Sequence, residues 1–119
     1  MRLDADAVML RIYLGERDSV GGRPAYKRIV EWLRAKGVWG ATVLRGVYGY
    51  GRKSVLHAAT PLRLSVDLPI IIEVVESRRK IEPLLDELSA MVKEGLVTIE
   101  DVRVVRHVGG DEPATGPNP

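Results

Sequence analysis

The chain of 119 residues contains no cysteine, no phenylalanine and only two histidines. Without cysteine, disulfides and thiolate metal sites are excluded, and a reducing, cytoplasmic setting is expected. The two imidazoles, His57 and His107, stand alone, outside any His-x-His pattern. A metal site needs three or four convergent ligands, so each reads as an ordinary polar or packing residue. No stretch reaches the ~18 consecutive apolar residues of a membrane span. The apolar start is interrupted by Asp4, Asp6 and Arg11, which is unlike a secretory leader. The expectation is a protein not embedded in a membrane. With phenylalanine absent, the core must be built from Val, Leu and Ile.

Acidic residues are also missing over a long interval, with none between Glu31 and Asp67. That interval holds Arg34, Lys36, Arg45, Arg52, Lys53 and Arg63, six positive charges. The rest of the chain carries 12 basic and 16 acidic residues, so the whole is only +2. General affinity for nucleic acid does not follow from so small a net charge. A concentrated cation in one third of the chain points instead to an anion or an acidic partner.

At this length one domain is expected, over residues 1–107, followed by a disordered tail over 108–119 rich in Gly and Pro. Val8 to Leu14 alternates, with Val8, Leu10, Ile12 and Leu14 on one face, and reads as a strand. Pro24 suits a first helical turn. Tyr26, Ile29, Val30 and Leu33 then recur at helical spacing, and Gly37 is placed to end that helix. Ala41 to Val47 and Leu68 to Val75 read as further strands. Ile81, Leu84, Leu85, Leu88, Met91 and Val92 form a second helical stripe closed by Gly95, with Pro83 moving its start to near Lys80. Val97 to Val105 reads as a fourth strand, with Glu100-Asp101 as a place where it divides. The order βαββαβ predicts a ferredoxin-like α+β fold: a four-stranded antiparallel sheet with two helices on one face. The third strand is apolar on both sides, which predicts that another subunit covers the open sheet face.

Some 20 residues connect the second and third strands, from about Val47 to Asp67. Irregular connections of that length in compact domains are usually functional. Gly49-Tyr-Gly-Arg-Lys53 combines glycines that let backbone N–H groups approach a ligand with a guanidinium and an ammonium. Gly49, Gly51, Arg52 and Lys53 are therefore candidate anion-binding residues, and Tyr48, Tyr50, Ser54, His57 and Arg63 candidate partner contacts on the same loop. Arg78, Arg79 and Lys80 form a second candidate group. They place positive charge at the start of the second helix, where the backbone dipole is already positive and a bound anion would relieve the conflict. No serine or threonine has a nucleophile's surroundings. The acidic pairs are neighbours in sequence, which sends them to opposite faces of a strand. No catalytic constellation is expected, and the protein reads as a binding protein, not an enzyme.

With these segments in place, the chain resembles the PII-like proteins, and in particular the branch catalogued as domain of unknown function 190. The residues that carry this are Tyr13-Leu-Gly-Glu-Arg-Asp18, Gly22-Arg-Pro-Ala-Tyr26, Gly40-Ala-Thr-Val-Leu-Arg-Gly46, Gly49-Tyr-Gly-Arg52, His57, Leu64-Ser-Val-Asp-Leu-Pro69 and Val92-Lys-Glu-Gly-Leu-Val-Thr-Ile-Glu-Asp-Val102. The resemblance implies a homotrimer with a signalling loop after the second strand. It also implies an adenine nucleotide as effector in clefts between subunits, and a regulated partner such as a membrane transporter or channel. Where PII proteins carry a Gly-Asp-Gly-Lys phosphate loop after the second helix, this chain has Gly95-Leu-Val-Thr-Ile-Glu-Asp101. The alternative weighed beside this regulator is a metal-tolerance trimer of similar topology. An RNA-binding module of the same strand order would display aromatic residues on its central strands, and the third strand has none. An acylphosphatase-like enzyme would need a phosphate cradle after the first strand, where Gly15-Glu-Arg-Asp-Ser19 carries two acids.

Overall fold

The computed structural model describes residues 6–51, 57–58 and 67–109. In chain order the elements are β1 (Ala7–Gly15), β2 (Ser19–Val20), β3 (Arg23–Pro24), α1 (Ala25–Ala35), β4 (Thr42–Arg45), β5 (Tyr48–Gly49), β6 (His57–Ala58), β7 (Pro69–Ser77), α2 (Arg78–Ile81), a 3-10 turn (Glu82–Leu84), α3 (Leu85–Met91) and β8 (Leu96–Val102). Four of these strands form one antiparallel sheet in the order β4-β7-β1-β8. This is the ferredoxin-like arrangement, and the two short pairs β2–β3 and β5–β6 are additions to it.

Alternation along the central strands sets the two faces. Val8, Leu10, Ile12 and Leu14 of β1 and Ile70, Ile72 and Val74 of β7 are buried beneath the helices. From the helices Ala25, Ile29, Leu33, Ile81 and Leu88 complete the core. Each such aliphatic side chain stabilises the fold by roughly 1.5–3 kcal/mol when fully buried. Branched aliphatics fill this core without a single aromatic at its centre.

The first helix ends as its sequence implies. Gly37 has φ 83°, a left-handed conformation that favours glycine. Its N–H donates to the Arg34 carbonyl at 3.0 Å, and Val38 N–H donates to Leu33 at 3.1 Å. Those paired bonds satisfy carbonyls that the helix end would otherwise leave open. The second helical region differs from the expected single helix. It begins at Arg78, directly after β7, and Pro83 lies in the 3-10 turn between α2 and α3. Proline has no N–H to continue α-helical bonding, so the helix tightens there. The fourth strand is undivided, because Glu100 and Asp101 pair in register with Met9 and Val8.

Candidate functional site

The side of the sheet away from the helices carries Met9, Arg11 and Tyr13 of β1, Ile71, Glu73 and Val75 of β7, Thr42 and Leu44 of β4, and Leu96, Thr98 and Glu100 of β8, by register. Its centre is ionic. Arg11 Nε donates to Glu73 Oε2 at 2.9 Å, and Arg11 Nη1 pairs with Glu100. Those carboxylates raise the Arg11 pKa, the Glu73 hydrogen bond contributing most and partial desolvation opposing it. On one side of this strip lie Leu44, Ile71, Tyr13 and Leu96, with Leu44 43% and Leu96 55% exposed. An apolar face with an ionic centre is therefore open to solvent in the single chain.

A cavity of about 490 Å³ lies on this face, at the end nearest the α1–β4 connection. Met9, Glu73 and Val75 line it from the sheet, Trp39, Gly40, Ala41 and Thr42 from the connection and the start of β4, and His107 and Gly109 from the C-terminal side. Its wall is held from behind by Glu76, which is fully buried on the helix face. Glu76 Oε1 accepts the Trp39 N–H at 3.2 Å and Oε2 accepts the Ser77 N–H at 3.0 Å. Residues 103–109 reach this wall from β8, on the opposite edge of the sheet, and so cross the ends of β1 and β7. The His107 ring packs on the Trp39 indole, with centroids 4.3 Å apart and planes tilted by 43°.

The long connection leaves from the other end of β4. Gly46 N–H donates to the Pro69 carbonyl at 2.7 Å, and a Cβ on Gly46 would lie 2.7 Å from Pro69 Cγ. Only glycine fits that approach. Gly49 pairs with His57 across β5 and β6, which closes the loop's neck. Around that neck Val47, Tyr48 and Tyr50 are 79%, 60% and 74% exposed. Gly51 is also at the surface. The predicted site residues Arg52, Lys53, Ser54 and Arg63 lie outside the described residues, and His57 is described in its backbone alone. On the return, Arg17 N–H donates to Asp67 Oδ1 at 2.9 Å and Glu16 N–H to Leu68 O at 2.8 Å. The Arg45–Glu16 ion pair ties β4 to the same turn. Asp18 and Asp67 converge beside Gly15. Burial raises the Asp18 pKa, against a bond from the Gly15 N–H that lowers it, with Asp67 and Glu94 adding to the rise.

The second predicted group sits elsewhere. Arg78 is paired with Asp6 at 3.2 Å, with Glu82 at 3.5 Å and with Asp101, so it ties the start of β1 to the end of β8. The charge conflict at this helix start is met by the protein's own carboxylates. Lys80 Nζ donates to the Gly37 carbonyl at 2.9 Å, closing the end of α1. Arg79 is exposed. Arg78 follows Ser77, whereas Gly46 and Gly49 lie at Pro69, the opposite end of β7. At ~3.3 Å per residue those ends are about 25 Å apart. Among the described residues, Gly49 of the first group therefore lies far from Arg78 of the second.

Sequence reasoning did not find the cavity. Its walls come from separate short segments, and each residue has a sufficient structural explanation where it stands. The available signal was Trp39 beside Gly40, a large aromatic next to a residue without a side chain, just before an edge strand.

Among the described residues no helix is long and apolar enough to cross a membrane, and no group of three His, Cys, Asp or Glu side chains is placed to hold a metal ion. The fold is that of the PII-like proteins. CPII from Thiomonas intermedia K12, a nitrogen regulatory PII-like protein solved bound to ADP, AMP and bicarbonate, aligns with a TM-score of 0.63 at 23% identity, over 84% of this chain and 89% of that one. A structure of CPII with ADP and bicarbonate aligns with a TM-score of 0.62. Residues 7–104 match the DUF190 family, described as uncharacterized ACR. A UPF0166 protein of Aquifex aeolicus is 35% identical over 97 residues, spanning 82% of this chain and 91% of that protein. One from Methanocaldococcus jannaschii is 41% identical over 101 residues, spanning 84% and 93%. This chain belongs to the DUF190 (UPF0166) family.

Proposed function

We propose that this protein is a PII-like regulator, a homotrimer that takes an adenine nucleotide into the cavity beside β4 and signals through the basic loop that follows. The observation that carries this reading is the cavity itself. Its volume of about 490 Å³ falls in the range of small-molecule sites, roughly 300–1,000 Å³. A purine needs flat apolar walls and a polar edge. Met9, Val75 and Trp39 supply the first, and Thr42, Glu73 and the backbone of residues 40–42 supply the second. Among the described lining residues no lysine or arginine is present, which favours placing the phosphates outside the cavity. Thr42 pairs with Glu73, and Pro69, where Gly46 is pinned, lies four residues along β7. That is about 13 Å at strand spacing, the order of a nucleotide's length. A base in the cavity therefore points its phosphates towards the loop's neck at Gly49, and Gly51, Arg52 and Lys53 follow that neck in sequence. CPII, of the same fold, is bound to ADP and AMP.

The same face supports the oligomer. Leu44 and Leu96 are exposed beside the ionic strip, and Val105 and Val108 of the C-terminal segment are 90% and 71% exposed. Further copies of the chain would cover these groups and turn the open cavity into a cleft between subunits. Val47, Tyr48 and Tyr50 at the loop's neck then remain for a partner protein, such as a transporter or channel.

Calorimetric titration with ADP, AMP and ATP tests the proposal, with sedimentation velocity on the same sample. The expected result is a trimer that binds at least one of the three. Loss of a guanidinium–phosphate contact in Arg52→Ala should weaken binding about tenfold or more. A trimer that binds none of them at millimolar concentration would refute the nucleotide; a monomer would refute the cleft.

A further inference from the structure

We infer that Glu100, which does not line the cavity, works through Arg11 to keep one oxygen of Glu73 charged and open as an acceptor for the bound ligand. The inference rests on the nucleotide reading and adds the residues that tune its polar edge. Thr42, Glu73, Arg11 and Thr98 form a row across the open face of the sheet, each opposite the next by register. Among the described residues, Thr42 and Glu73 of this row line the cavity, and Arg11 and Glu100 do not. Glu73 is thus the side chain that the cavity and the ionic centre of the face have in common.

Arg11 divides its guanidinium between two carboxylates. Nε donates to Glu73 Oε2 and Nη1 to Glu100, so each acid holds a different nitrogen. A guanidinium can instead grip a single carboxylate with two parallel bonds. Here the fork is split, and Glu73 receives one bond on one oxygen. Among the described residues no hydrogen bond reaches Glu73 Oε1. The three groups sum to one negative charge in excess. The Glu100 side chain is 57% exposed and water solvates it, whereas that of Glu73 is 29% exposed and lies in the cavity wall. The uncompensated oxygen that a ligand meets is therefore Glu73 Oε1. An ionised carboxylate oxygen only accepts, so it calls for a donor such as the exocyclic amino group of adenine or a ribose hydroxyl. A hydrogen bond to a charged group outweighs a neutral one by about three- to tenfold in affinity. Without Glu100, Arg11 would be free to turn its whole fork on Glu73 and occupy both oxygens.

Calorimetric titration of ADP into wild type, Glu100→Gln and Glu82→Gln provides the test, each as the full chain, with sedimentation equilibrium of the same samples without ADP. Glu82→Gln removes an equal charge from the 3-10 turn between the helices. ADP is an anion, so losing a negative charge should on Coulomb grounds tighten its binding. The expected result for Glu100→Gln is the reverse: about three- to tenfold weaker ADP binding, with assembly at least as tight as in wild type. Glu82→Gln should show no weakening. Binding by Glu100→Gln as tight as wild type, or tighter, overturns the inference and leaves the nucleotide site in place. Equal weakening by Glu82→Gln overturns it too, since the effect would then not pass through Arg11. Weaker binding together with weaker assembly also overturns it, because Glu100 would then be a contact to a neighbouring copy. If wild type binds none of ADP, AMP and ATP, the nucleotide reading fails and the inference fails with it.

Discussion

Replacement of Glu76 by glutamine should destabilise the protein far more than a change of one atom suggests. Glu76 is completely buried and its two oxygens accept from two different backbone N–H groups, Trp39 at 3.2 Å and Ser77 at 3.0 Å. Glutamine has one carbonyl oxygen. Its amide nitrogen must face the remaining N–H, donor against donor. A hydrogen bond to a charged acceptor is worth about 1.5–3 kcal/mol, and an unpaired buried donor costs a similar amount. Because the two losses overlap, a net cost of about 2–3 kcal/mol is expected, a large share of the ~5–15 kcal/mol of a typical domain. With a urea m-value of about 1.5 kcal/mol/M, the midpoint should fall by about 1.3–2 M. Urea unfolding followed by tryptophan fluorescence measures this, at one protein concentration for all variants because assembly contributes to stability. Glu82→Gln is the control. Glu82 is exposed and pairs with Arg78 along one helix turn, so its loss should cost about 0.5 kcal/mol or less. A Glu76→Gln midpoint within about 0.3 M of wild type would refute the assignment of Glu76 as the pin of the cavity wall.

Asp18→Asn should flatten the pH dependence of stability. The folded-state pKa of Asp18 is raised above the ordinary 3.8, chiefly by burial. The folded protein thus holds this proton more tightly than the unfolded chain, and the group's contribution is complete below about pH 3.8 and lost as pH rises through the folded value. Thermal unfolding at pH 4 and pH 7 should show asparagine gaining on aspartate at the higher pH; a constant difference would refute the sign. Glu100→Gln should tighten the proposed trimer. On the open face Arg11 meets two carboxylates, Glu73 and Glu100, leaving one negative charge in excess. Desolvating an uncompensated charge costs several kcal/mol, so the dissociation constant should fall on the order of tenfold or more in sedimentation equilibrium. Weaker assembly would mean that a neighbouring copy supplies Glu100 with a cation.

The fold was legible because its periodicities are strong and local. Val8 to Leu14 and the Tyr26–Leu33 stripe each announce one face, and the structure buries Val8, Leu10, Ile12, Leu14, Ile29 and Leu33, with Val30 half-buried against them. The apolar third strand leaves Ile71 and Val75 half-buried on the open side of the single chain. Boundaries failed where a single residue dominated, as at Pro83, or where pairing overrode composition, as at Glu100-Asp101. The site was legible only in part. Glycine spacing located the neck of the loop, and Gly46 and Gly49 meet Pro69 there. Charge counting could not distinguish Arg78, engaged by three carboxylates, from a cation awaiting a ligand, because its partners Asp6 and Asp101 are 72 and 23 residues away. For the same reason the cavity was invisible: Met9, Trp39, Val75 and His107 become neighbours through topology alone.

That topology gives β4 a role that its length conceals. The strand has four residues, all exposed, and within the sheet it is bonded on one side, to β7. β1, by contrast, is paired along both edges. An edge strand bonded on one side is the part of a sheet that shifts at least cost. Thr42 at its start lines the cavity, and Gly46, just past its end, fastens the neck of the loop to Pro69. A ligand that bonds to Thr42 and stacks on Trp39 therefore acts on one end of a short rigid segment, and the loop hangs from the other. Strand spacing makes that lever about 13 Å long. No rearrangement of the aliphatic core is needed, because Val43 is its side chain opposite Ile72 and is itself 37% exposed. On the proposed reading, cavity occupancy reaches the partner-binding neck through the shortest strand of the sheet, without disturbing the core.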